Sequence, residues 1–203
     1  MLTAKTNRVI GRQNLQLTIL RVTILAEITW FSKVSPWNQP SAILTEFHRW
    51  CHGAPGIVIL LATTLRIFEE NKESILTSDA VTAKIRTAIR RGAALVYKCG
   101  LLRKGVGLCH GTAGSVYALL SASAVLDTSE SSNRQFFLQA VHLAHLATFH
   151  RRMTTSKQMT IPDHPWSLYE GLGGMCCAWA EVLHRLYFKG PLSSAMPGYD
   201  DLI

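Results

Sequence analysis

The sequence has little charge, few acidic groups and no long uninterrupted apolar run. Only 17% of its 203 residues are charged while 48% are hydrophobic, which excludes a solvated, disordered chain and leaves enough apolar matter for one sizeable core. The apolar stretch from Leu15 to Phe31 is broken by Gln16, Arg21 and Glu27. A charge in mid-bilayer is costly, so no transmembrane helix is expected there. Residues Met1 to Arg12 are polar and basic and do not form a convincing secretory signal. The five cysteines are an odd number and include the vicinal pair Cys176-Cys177, a poor disulfide framework. Cysteines used this way fit the reducing cytosol, where they persist as thiols or metal ligands.

Acidic residues are outnumbered, 13 Asp and Glu against 21 Lys and Arg, for a formal net charge of +8. The excess is scattered, with short clusters only at Arg90-Arg91, Arg103-Lys104 and Arg151-Arg152. No aromatic stacking pattern accompanies them, so the basic balance reads as solvated helix faces and no nucleic-acid partner is expected.

What is present is repetition. The segments Trp50-Cys51-His52-Gly53-Ala54-Pro55-Gly56, Leu108-Cys109-His110-Gly111-Thr112-Ala113-Gly114 and Tyr169-Glu170-Gly171-Leu172-Gly173-Gly174 each carry Gly-x-x-Gly. Their first glycines stand at 53, 111 and 171, spacings of 58 and 60. A mostly apolar segment follows each: Ile57–Glu69, Ser115–Leu126 and Met175–Tyr187. Helices that are apolar nearly all round belong inside a larger α assembly. More amphipathic segments lie between them, Ser78–Cys99, opened by N-capping Ser78-Asp79 and closed by Gly100, and Asn133–His150. Each unit therefore predicts a helical hairpin of turn, inner helix, polar loop and outer helix. Stacked hairpins form a solenoid or a closed ring. In a ring the three Gly-x-x-Gly turns meet at one mouth, and Cys51 comes close to Cys109-His110. Residues 1–36 do not fit the repeat and are read as a poorly matching leader to a domain over 37–203; Leu15–Leu25 within them reads as a strand, a poor helix or part of a non-native leader.

Thiolate and imidazole are the donors zinc prefers, and a set of three protein ligands leaves a fourth position open. Cys51, Cys109 and His110 are such a set, with His52 a further neighbour. The competing reading is a buried, hydrophobe-like cysteine. Cys176-Cys177 lies beyond the third turn on a helix and reads as packing.

The three motifs resemble those of the lanthionine synthetase C-like family in its eukaryotic form. They are Trp50–Gly56, Gly107–Gly114 and the run Pro162-Asp163-His164-Pro165-Trp166-Ser167-Leu168-Tyr169-Glu170-Gly171, followed by Met196-Pro197-Gly198-Tyr199. The likeness covers about Trp37–Asp200. It implies an all-α fold, an α/α toroid, here a partial ring of about three hairpins. It implies zinc on Cys51, Cys109 and His110, and the joining of a thiol to a dehydroamino acid in a peptide to make a thioether. The thiol is a peptide cysteine in bacterial relatives and glutathione in eukaryotic ones. It further implies that Lys104, Pro162 and Asp163 contact glutathione. The family places another acid/base histidine upstream of the first cysteine, but His48 lies too close to Cys51 to match it. His52 is then the nearby acid/base candidate. No arginine precedes Pro162, where Met159-Thr160-Ile161 stand.

The family chain is longer and has more hairpins. This chain is therefore expected to keep its zinc ligands and to lack full activity. A non-catalytic binder of glutathione and zinc is the second reading. A carbohydrate-active α/α barrel using Asp163 and Glu170 is the third. The expected location is cytoplasmic, with peripheral attachment at the plasma membrane reached in some relatives by lipidation.

Overall fold

In a computed structural model the described residues are 49–71, 79–127, 134–187 and 196–197. All of them belong to the unit Pro40–Ile203. The readings for residues 1–36 and for Gly198-Tyr199 lie outside them.

Six α-helices account for the regular structure, with no strand among the described residues: α1 Ala54–Glu70, α2 Asp79–Cys99, α3 Thr112–Leu126, α4 Gln135–Ala147, α5 His150–Thr155 and α6 Leu172–Tyr187. The short 3₁₀ turn Trp50–His52 precedes α1. Helices α1 and α2 pack as one hairpin and α3 and α4 as the next, while α3 also touches α1 and α6. The inner helices are thus α1, α3 and α6, a partial α/α toroid. Helix α3 is its centre: every residue from Thr112 to Leu120 is buried. Its sequence has no polar face to give to water, so packing on all sides is what holds it. No described helix is long and apolar enough to cross a membrane.

The inner helices begin three residues earlier than their apolar runs predict. Gly53 and Gly111 are the residues preceding α1 and α3, so the second glycine of each motif sits inside the first helical turn. The reason is close approach. A Cβ placed on Gly56, Gly114 or Gly174 would lie 2.1, 2.2 and 2.2 Å from the carbonyl oxygens of Trp50, Leu108 and Leu168. The three contacts have the same register, each glycine against the residue six before it. Gly114→Ala is expected to cost about 1–3 kcal/mol, because the obstructing atom is backbone. A thermal melt with an unchanged midpoint would exclude this reading of the repeat.

The run Asn133–His150 does not form one helix. It breaks at Thr148-Phe149, where Thr148 N–H and Phe149 N–H bond three residues back, to His145 O (3.0 Å) and Leu146 O (3.1 Å). The Thr148 hydroxyl also donates to His145 O at 2.7 Å, competing with the helical ladder. The Asp127 carboxylate accepts from Phe136 N–H and Phe137 N–H at 3.3 and 3.0 Å, which fixes the start of α4 against the end of α3.

Helix α6 is tied in by Trp179, whose Nε1–H donates to Ala144 O at 2.8 Å, and by Arg185, which donates to Leu120 O at 2.9 Å. Its opposite side is exposed at Cys176, Ala180, Leu183 and Tyr187. Cys176 is therefore a surface thiol rather than a packing residue, while Cys177 is half-buried. Trp166 is also largely exposed.

Candidate metal centre

The three Gly-x-x-Gly turns lie side by side. Trp50 N–H donates to Cys109 O at 3.1 Å, and Cys109 N–H donates to Tyr169 O at 2.7 Å. This ladder places the first turn beside the second and the second beside the third. Residues more than a hundred positions apart therefore share one mouth. Gly107 allows the last approach: a Cβ there would lie 2.2 Å from the backbone carbon of Glu170.

On this frame the donor atoms of Cys51, Cys109 and His110 converge, all within 4.8 Å of one another. His110 Nε2 lies 3.9 Å from Cys51 Sγ and 3.8 Å from Cys109 Sγ. A tetrahedral ion with Zn–S near 2.3 Å and Zn–N near 2.0–2.1 Å would set sulfur and nitrogen about 3.6 Å apart. The spacing and the soft donor set fit a zinc ion, and both cysteines are free thiols. Cys51 is exposed and Cys109 half-buried, so the site opens to solvent on the first-turn side.

His52 is not one of the converging donors. Its Nδ1 lies 2.9 Å from Cys51 Sγ, where it can orient a ligand sulfur from outside. Lys104 is exposed on the loop before the second turn. That loop is held to the segment containing Pro162: Thr160 N–H donates to Arg103 O at 2.7 Å, and a Cβ on Gly105 would meet the Pro162 ring at 3.4 Å. Gly105 has φ +132°, which a side chain would strain. Lys104 and Pro162 are thus brought to one rim, with Asp163 exposed beside them.

Burial lowers the pKa of His110, and the charges of Arg49, Lys104 and His52 lower it further, so the imidazole is held neutral, as a metal ligand requires. Burial, with Cys51 beside it, raises the Cys109 thiol from 9.0 to about 12. Without metal, Cys109 is therefore protonated at neutral pH. A proton bound more tightly in the folded state stabilises it fully below pH 9.0, and that contribution is lost as pH rises through about 12. The metal-free chain is expected to lose stability over this alkaline window, and zinc loading at neutral pH to release protons. Calorimetry in buffers of different ionisation enthalpy measures that release; its absence would remove the thiols from the site.

Arg49 was not legible as part of this site. Its signal lies only in standing just ahead of the first motif.

Among known protein families, the chain matches the lanthionine synthetase C-like protein family over residues 9–190. The chain belongs to this family. Among curated relatives, it is 28% identical over 142 residues to the zebrafish (Danio rerio) protein named glutathione S-transferase LANCL1. That alignment covers 70% of this chain and 30% of the relative. It is 30% identical over 153 residues to LanC-like protein GCL1 of Arabidopsis thaliana, covering 75% of this chain and 30% of that protein. The aligned part of the chain therefore spans less than a third of the length of these lanthionine synthetase C-like relatives.

Proposed function

We propose that Cys51, Cys109 and His110 hold one zinc ion, and that the site takes a thiol, glutathione or a peptide cysteine, for addition to a dehydroamino acid. The observation that supports this most is the convergence of two sulfurs and one imidazole nitrogen from two neighbouring turns, at spacings within a few tenths of an ångström of those about a tetrahedral ion. Glutathione is the favoured small thiol because the LANCL1 relative is named for it. Zinc bound there would hold the incoming thiol as the nucleophilic thiolate.

The chain's own residues supply the rest. Lys104 presents an ammonium, without an ion pair among the described residues, to a carboxylate of the thiol. Pro162 and Asp163 close the same rim. In the addition, sulfur bonds to the β-carbon of the dehydroamino acid, the π electrons move to the α-carbon, and that carbon takes a proton. We assign that delivery to His52, whose Nδ1 lies 2.9 Å from Cys51 Sγ beside the donor set. His52→Ala is expected to keep zinc and to slow thioether formation by about 100-fold or more. Unchanged turnover in His52→Ala would leave the imidazole with only its contact to Cys51.

A binding role without turnover is the second reading, favoured because the aligned region covers 30% of each relative. Incubating the zinc-loaded chain with glutathione and a dehydroalanine peptide, followed by mass spectrometry, separates the two. A thioether adduct that disappears in Cys109→Ala supports catalysis. Thiol binding without adduct supports the binding role.

A further inference from the structure

All five cysteines are free thiols: Cys51, Cys99, Cys109, Cys176 and Cys177. The sulfurs of Cys51 and Cys109 lie within 4.8 Å of each other. They stand on different turns, which the bond from Trp50 N–H to Cys109 O at 3.1 Å holds side by side. Backbones paired in this way run about 5 Å apart, and a disulfide spans Cα atoms roughly 4.4–6.8 Å apart. The ladder therefore holds the first two turns at bridging distance, and side-chain rotation is enough to bring the sulfurs together. The vicinal pair Cys176-Cys177 fails the same requirement. Neighbours in the chain are about 3.8 Å apart at Cα, and on α6 their side chains diverge around the helix.

Exposure orders the two thiols of the mouth. Cys51 is exposed and Cys109 half-buried, so a reagent arriving from solvent meets Cys51 first, with Cys109 directly behind it. An accessible thiol poised next to a second one is the arrangement of a reversible oxidation site.

We propose that Cys51 is a peroxide-modified thiol that Cys109 resolves, giving a Cys51–Cys109 disulfide that excludes metal from the mouth. The Cys51 sulfur attacks one peroxide oxygen and the O–O bond breaks. The other oxygen leaves as water with the thiol proton, and Cys51 becomes a sulfenic acid. The Cys109 sulfur then attacks the Cys51 sulfur, the S–O bond breaks, and the departing hydroxide takes the Cys109 proton as a second water. Two thiols have lost two electrons and two hydrogens, and the peroxide has been reduced to water. Bond and ion draw on the same two sulfurs, so forming one precludes the other, and His110 is left as the single donor of the set. The loss of zinc rests on the metal-binding reading above; the bond itself does not.

The test treats the full chain, metal-free and zinc-loaded, with stoichiometric hydrogen peroxide. Thiol titration, peptide mapping by mass spectrometry and released zinc are followed together. The metal-free chain is expected to lose two of its five free thiols and to yield a peptide pair joined through Cys51 and Cys109. The zinc-loaded chain is expected to release one zinc ion for each bond formed, and dithiothreitol to restore both thiols and metal uptake. Cys51→Ser and Cys109→Ser should each abolish the joined pair, with Cys109→Ser leaving Cys51 as an unresolved sulfenic acid that a dimedone probe labels. The surface-thiol variant Cys176→Ser should form the pair as wild type does. Oxidation of the metal-free chain without the Cys51–Cys109 pair, a pair formed instead through Cys176 or Cys177, or full zinc retention in a chain carrying the bond overturns the proposal. A chain that forms the bond but binds no zinc when reduced bears out the modification site and defeats the metal-binding reading alone.

Discussion

Cys109→Ala is expected to lower zinc affinity by more than about 100-fold, beyond the loss typical when only an outer partner of a ligand is removed. Cys109 is the hinge of the site. Its sulfur lies 3.8 Å from His110 Nε2, its carbonyl accepts from the first turn and its N–H donates to the third. Alanine keeps the two backbone bonds and removes only the sulfur, so a fold defect is not expected to confuse the result. Zinc content by elemental analysis and competition with a chromophoric chelator give the measurement, with Cys176→Ser as the surface-thiol control. Retention of zinc at wild-type affinity in Cys109→Ala, or its loss in Cys176→Ser, would rule out the centre described here.

The second large effect lies away from the site. Arg185 is 7% exposed on α6, and its Nε donates to the Glu181 carboxylate oxygen Oε1 at 2.5 Å, one helical turn earlier. The same guanidinium donates to Leu120 O at 2.9 Å on α3, so the pair joins the third inner helix to the second. Tyr117 on α3 senses both groups, although burial is the chief reason its hydroxyl pKa is raised. Removing Glu181 takes the carboxylate from a guanidinium that is 7% exposed, while its bond to Leu120 O remains. Glu181→Ala is accordingly expected to cost about 3–5 kcal/mol in chemical denaturation. The double variant Glu181→Leu with Arg185→Met should recover much of that loss, because it removes both charges from the buried place. If the single variant unfolds like wild type, the pair does not hold α6 in place.

These two experiments also separate the site from its scaffold. The metal ligands stand on turns whose positions depend on the helices behind them, and α6 carries the third turn. Weakening its attachment to α3 should therefore loosen α6 before it lowers zinc content, since all three donors precede α1 and α3.

Much of this architecture was legible in the order of residues. Glycines at a period of about sixty, each followed by an apolar run, determined the inner helices, because only helices packed on all sides can be apolar all round. Equivalent Cys-His-Gly positions in two of those units determined which donors would meet if the turns shared a mouth. Helix starts were less legible: apolar periodicity marks the interior of a helix, while the first turn of α1 is set by Gly56 passing under the Trp50 carbonyl. The break at Thr148 was hidden for a similar reason, since a hydroxyl bond to His145 O competes locally with a ladder that the apolar pattern alone would continue.

The tertiary structure alone decided the rest. Backbone bonds from Trp50 to Cys109 and from Cys109 to Tyr169 join turns about sixty residues apart, and no local pattern specifies such bonds. They set Cys51, Cys109 and His110 at one mouth, where His52 Nδ1 lies 2.9 Å from the Cys51 sulfur and outside the converging donors. Residue identity fixes what a group can bind; its distance from a partner is fixed by packing between helices that the chain order keeps far apart.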